Sequence, residues 1–229
     1  MLAKVSSLLD KLKQRNIAVS AGFSEEAGGS STRSCDALSG PAPPAYSLPA
    51  GAITEISGAL SSGRTSLTHA ILAQATAASE CCAMVDAAGA FDPWSAAQVG
   101  VDLQKLLWVR ANGRLDAALK AADLILHSGG FGVIVLDLCE ASAQELNRIP
   151  LSYWYRFRGA VENTPGKFVV VSHAPLAKSC ARLPLETRRE SAHWSGSTSL
   201  FKGIDFAVQD RKPHAMKRHM GNGLARLAG

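Results

Sequence analysis

The stretch Gly58-Ala59-Leu60-Ser61-Ser62-Gly63-Arg64-Thr65-Ser66 sets two glycines five positions apart and closes on a cation and a hydroxyl. An apolar run precedes it and a helix-forming run follows, so it sits at a strand-to-helix turn, where such loops hold phosphate. Glycines let the backbone curl until successive N–H groups converge on phosphate oxygens, and the helix N-terminus adds partial positive charge. The candidate nucleotide-binding set is therefore Gly58, Ser61, Ser62, Gly63, Arg64, Thr65 and Ser66, with the Thr65 hydroxyl placed for a Mg²⁺ ion. Arg64 stands where the pattern has Lys. Arginine keeps the charge, but its planar fork does not replace a compact ammonium atom for atom. The plainer reading is a Gly/Ser-rich turn with no ligand.

A second signal is the apolar run Val133-Ile134-Val135-Leu136 ending in Asp137. A carboxylate at such a strand end, facing the loop threonine, helps hold Mg²⁺. Strand-end aspartates also serve as helix caps.

Positioning these groups takes an alternating framework. Apolar runs at 53–56, 82–85, 106–109, 133–138 and 167–171 read as strands, and breaker-free stretches at 66–78, 114–128 and 152–163 as helices, with a helical turn at 95–99. Strands apolar on both faces and separated by helices predict a mostly parallel α/β sheet with helices on both faces. Residues 199–208 are expected to add strands at the sheet edge. Before this core, residues 1–19 hold a helix whose Val5, Leu8, Leu9 and Leu12 share one face. Residues 20–47, rich in Gly, Ser, Ala and Pro, read as a flexible linker. The core then runs 48–212 and a basic tail 213–229.

Composition narrows the classes. With 47% hydrophobic and 19% charged residues the 229-residue chain is ordinary for a globular protein. No apolar run approaches the roughly 20 residues of a membrane span, and the first residues lack the apolar centre of a signal peptide, so a cytoplasmic protein is expected. Five cysteines with no C-x-x-C pair give a zinc site no support and read as reduced, buried thiols. The net charge of +5 permits nucleic-acid contact, and Arg211 and Lys212 belong to its concentration near the end of the chain.

From Leu48 to Leu138 the chain resembles the ATP-binding core of RecA recombinases. The resemblance rests on Leu48–Ile56 leading into the loop, on Met84-Val85-Asp86-Ala87 and Ala90-Phe91-Asp92-Pro93, and more weakly on Leu183-Pro184-Leu185-Glu186-Thr187-Arg188-Arg189. It implies a RecA-like P-loop NTPase core that binds ATP with Mg²⁺. It also implies departures. The place of the acid that polarises the attacking water falls on Ala88, which has no base to offer. The adenine-stacking place falls on Ser95, with Trp94 beside it as a substitute, and the phosphate-sensing place on His173. The DNA-binding loop is reduced to a few residues around Ala174-Pro175-Leu176, and the family's long C-terminal domain is not among the 229 residues.

The segment 149–162, with Tyr153-Trp154-Tyr155-Arg156-Phe157-Arg158, and the segment 176–180 resemble ImuA-type proteins, small RecA relatives of damage-induced mutagenesis. This implies a DNA-repair accessory role in the SOS response, beside RecA and an error-prone polymerase subunit, with weak or no ATP hydrolysis. The alternative is an active DNA-dependent ATPase or recombinase on single-stranded DNA. Three consecutive helical residues cannot all face one core, so Tyr155, Arg156 and Arg158 are candidate partner or DNA contacts. In the family the N-terminal helix packs on a neighbouring subunit, so a homo-oligomer through that helix is one expectation. The other is that it folds back on its own domain.

Overall fold

Apolar runs bounded by glycine, proline and polar turns become strands, and the runs between them become helices. The computed structural model describes residues 2–15, 17–21, 47–195, 200–212 and 223–226. In chain order these form α1 (Leu2–Gln14), β1 (Ala18–Ala21), β2 (Ala52–Gly58), α2 (Arg64–Ala77), β3 (Cys82–Asp86), α3 (Pro93–Gln98), β4 (Leu106–Arg110) and α4 (Leu115–Ser128). Then come β5 (Val133–Asp137), α5 (Ala143–Asn147), α6 (Leu151–Val161), β6 (Lys167–Ser172), β7 (Ala181–Ser195), β8 (Leu200–Asp210) and β9 (Gly223–Arg226).

All strands join one sheet in the order β1-β4-β3-β5-β6-β2-β7-β8-β9. The stretch from β4 to β7 is parallel throughout, and the antiparallel pairs β1/β4, β7/β8 and β8/β9 lie outside it. β2 is buried on both faces because helices cover both. Ile53 packs into a core shared with α1, α4 and α6, and Ile56 into a core shared with α2, α3 and β8.

The structure decides between the two expectations for the N-terminal helix and adds a strand that the sequence reading lacked. α1 folds onto its own domain, where Leu8 and Leu12 are buried in the core built around α4. That burial corrects the subunit-contact reading for these two side chains. β1 pairs with β4, so the chain after α1 is part of the sheet. The expected strand near residues 199–208 exists as β8, flanked on both sides by β7 and β9. Most of the expected linker and most of the basic tail lie outside the described residues.

Candidate functional site

The carboxyl ends of β2, β3, β5 and β6 meet at one edge of the sheet, and α2 starts there. Gly63 precedes α2 with φ +95°, a left-handed conformation glycine adopts without steric cost. No side chain caps α2. The first N–H groups of a helix have no intrahelical acceptor, so this end faces outward as a set of free donors. Arg64 follows, only 6% exposed, and its Nη1 has no hydrogen-bond partner. A buried guanidinium nitrogen left unsatisfied is costly, which marks a place for an anionic acceptor. Thr65 and Ser61 are exposed on the rim, Ser61 with φ 56°, and Ser66 is half-buried.

The loop is seated on β7 and β8 by contacts the sequence reading did not anticipate. The Ser62 and Thr187 hydroxyls are hydrogen-bonded at 2.7 Å. A β-carbon on Gly58 would stand 2.4 Å from Thr187 Oγ1, and one on Gly63 would stand 2.4 Å from the Phe206 ring. Both glycines are therefore required by neighbours more than 120 residues away, and Gly63 by its positive φ as well. Ser62 spends its hydroxyl on Thr187 and offers the loop its backbone alone.

Asp137 ends β5 in register with Asp86 at the end of β3. Its Oδ1 accepts the Cys139 N–H at 2.9 Å. Burial, with the nearby Asp86 charge, raises its pKa from the ordinary aspartate value, while Arg64 pulls it back down. Asp86 is fully committed to structure. It accepts N–H groups from Gly89, Ala90 and Phe91 at 2.7, 3.1 and 2.9 Å, and the Trp108 Nε1–H at 3.3 Å. These bonds tie the turn after β3, on which Ala88 is exposed with only a methyl group. Phe91 stands edge-on to His69 of α2 and to Trp108 of β4, anchoring the segment that carries α3. Trp94, at the start of α3, is 73% exposed, and Asp92 caps that helix by accepting the Trp94 and Ser95 N–H groups.

His173 follows β6, whose last residue Ser172 pairs with Ser57 of β2, so it stands beside the start of the loop. The short segment after it is stapled. Glu55, buried in β2, accepts the Leu176 and Ala177 N–H groups, and the Ser172 hydroxyl donates to the Ala174 carbonyl at 2.7 Å.

The expected contact residues on α6 separate. Trp154 and Phe157 are buried, Tyr155 is 56% exposed, and Arg158 is exposed. Arg156 makes an ion pair with Asp123 of α4. Arg211 lies 3.8 Å from Glu186, and Lys212 Nζ donates to the Ala181 carbonyl at 2.6 Å. Burial pushes the Cys180 thiol up, opposed by Arg158 and Lys212, which brings those two cations to one neighbourhood. That neighbourhood is where β7 begins, at the amino end of the strand and away from Thr187 near its middle.

One surface cluster mimics a hydrolase and is not one. His193 Nε2 lies 2.6 Å from Asp205 Oδ2 and 3.2 Å from Ser191 Oγ. Both contacts fall on one ring nitrogen, so no proton passes through the imidazole from serine to aspartate.

An anion fits the phosphate loop on the evidence of the Arg64 nitrogen and the uncapped α2. Among the described residues no group of three or more His, Cys, Asp or Glu side chains gathers to hold a metal. A Mg²⁺ ion there would take Thr65 and Asp137 and complete its shell from phosphate and water. No helix among the described residues is long and apolar enough to cross a membrane.

A glycine loop opening a helix at the carboxyl edge of a mainly parallel, doubly covered sheet defines the P-loop class of α/β domains. Within that class, the RecA N-terminal domain family model matches residues 34–147. The crystal structure of the RadB recombinase shares the architecture with a TM-score of 0.55 and 13% identity, across 79% of this chain and 89% of that chain. The fold is RecA-like, and over residues 34–147 the family model supports a RecA-like kinship.

Proposed function

We propose that this chain is an ATP-binding accessory protein of DNA repair and translesion mutagenesis in the SOS response, with little or no ATP hydrolysis. One observation carries the nucleotide reading: a buried Arg64 side chain whose Nη1 has no hydrogen-bond partner, at the open end of α2. The loop N–H groups and Arg64 bind the phosphate chain, Thr65 and Asp137 take the Mg²⁺, and Trp94 offers its exposed ring to the base. Mg²⁺ neutralises charge on the phosphates when bound. His173 stands where a sensor of the terminal phosphate belongs. Hydrolysis needs a base to orient water, and Ala88 has none while Asp86 is spent on the turn. The stapled segment after β6 supports the accessory reading, because a loop pinned by Glu55 is poorly suited to wrapping a DNA strand. Partners in this reading are RecA and an error-prone polymerase subunit, with Tyr155, Arg158 and Lys212 as exposed contacts and single-stranded DNA as a further ligand.

Titration calorimetry with ATP and Mg²⁺ tests the reading. Arg64→Ala should weaken binding by about 1.5–3 kcal/mol, roughly tenfold to a hundredfold. Wild-type protein that binds nothing at millimolar ATP refutes it. Phosphate release stimulated by single-stranded DNA to roughly 1–100 s⁻¹, the range of phosphoryl-transfer enzymes, would instead make the chain an active ATPase.

A further inference from the structure

The β7–β8 hairpin does more than support the phosphate loop. Gly58, the last residue of β2, pairs with Thr187, so β7 continues past the end of β2 and runs alongside the loop. Arg189 is the second residue along that extension. It pairs across the strands with Phe206, the ring that lies against Gly63. Alternate strand residues share a face, so Thr187, Arg189 and Phe206 all stand on the face that α2 covers. Thr187 and Phe206 are buried in contact with the loop, whereas Arg189 is exposed. The register shifts between Arg189 and Ser191, an irregularity of the kind that re-aims side chains beside functional sites. Among the described residues no acid forms an ion pair with Arg189.

The sheet order decides which part of a nucleotide this cation meets. β6 and β5 lie on one side of β2 and β7 on the other, so Asp137 and Arg189 flank the loop from opposite sides. A phosphate chain laid across the start of α2 with its metal-bearing end at Asp137 brings its other end toward β7. We propose that Arg189 is a second cation of the nucleotide site and contacts the phosphate next to the ribose. The inference rests on the nucleotide-binding reading above, and it adds a residue and a polarity to it.

The experiment is calorimetric titration of ATP and ADP, each with Mg²⁺, into wild type, Arg189→Ala, Arg189→Lys and Arg188→Ala, with melting temperatures recorded for all four. Arg188 is the control, because it pairs with Ala207 on the opposite face and is exposed too. A contact at the ribose-proximal phosphate is common to both nucleotides. Arg189→Ala should therefore weaken ATP and ADP by the same factor, about three- to tenfold for one partly solvated charged contact. Arg189→Lys should recover part of the loss and Arg188→Ala should bind as wild type. Unchanged binding by Arg189→Ala overturns the inference alone, as does a loss confined to ATP, which belongs to the terminal phosphate. An equal loss in Arg188→Ala overturns it too, since only the general field would then be at work. Wild type that binds neither nucleotide overturns the nucleotide reading and this one with it.

Discussion

Gly63→Ala measures how tightly the hairpin is seated on the loop. Gly63 has φ +95°, and an alanine β-carbon there would lie 2.4–2.6 Å from three atoms of the Phe206 ring. Holding an L residue in a left-handed conformation costs about 1–2 kcal/mol. Forcing a methyl group into a filled space adds about 1–3 kcal/mol. Stiffening the unfolded chain returns about 0.4–1 kcal/mol. The net loss is about 1–5 kcal/mol, which for a chain of this size lowers the melting temperature by about 2–20 °C. Phe206→Ala is destabilising in its own right, by about 3–5 kcal/mol for a buried phenylalanine. In that background the clash is gone, and Gly63→Ala should cost only its backbone share. A double-mutant cycle followed by calorimetry or circular dichroism should therefore show a coupling of about 1–3 kcal/mol between the two positions. A Gly63→Ala protein that melts within a degree of wild type refutes the reasoning. So does an equal cost in both backgrounds.

Two further outcomes follow from the site. Asp137 has its folded pKa raised chiefly by burial, so its contribution to stability is fully present below the ordinary carboxylate range and is lost as pH rises through the folded value. Asp137→Asn should accordingly melt higher than wild type at pH 7, with the gap closing as pH falls below that range. A lower melting temperature at pH 7 would show attraction to Arg64 outweighing burial. Glu55→Ala leaves the buried Ala177 N–H without its acceptor, at about 1–3 kcal/mol, and should speed amide exchange in residues 174–177, with Glu55→Gln milder. Unchanged exchange would mean that the segment is held by other contacts.

Much of the framework was legible because it is written in short-range patterns. The apolar runs that became β2 to β6 and the breaker-free runs that became α2, α4 and α6 fall within a few residues of their expected bounds. The α5 helix was not, since its Ala143–Asn147 span is too short for a helical period to show, although Ser142 and Glu145 form a capping box that marks its start. The aromatic run on α6 was legible in outline: Trp154 turned inward and Tyr155 outward, as helical geometry demands. That Arg156 would be drawn to Asp123 on α4 was not, because the two lie 33 positions apart and meet only when the helices pack.

The sequence by itself determined the phosphate loop, the strand-end Asp137 and the methyl group at Ala88, since glycine spacing, strand period and residue identity are local properties of the chain. Tertiary structure alone decided what surrounds them. It bonded Thr187 to Ser62, laid Phe206 on Gly63, aligned Arg189 with the loop, spent Asp86 on its own turn and buried Leu8 and Leu12 within their own domain. The reason is physical. Backbone conformation is set by neighbours along the chain, whereas the partner of a buried side chain depends on strand order and register. Those follow only when distant segments are packed together at interior density.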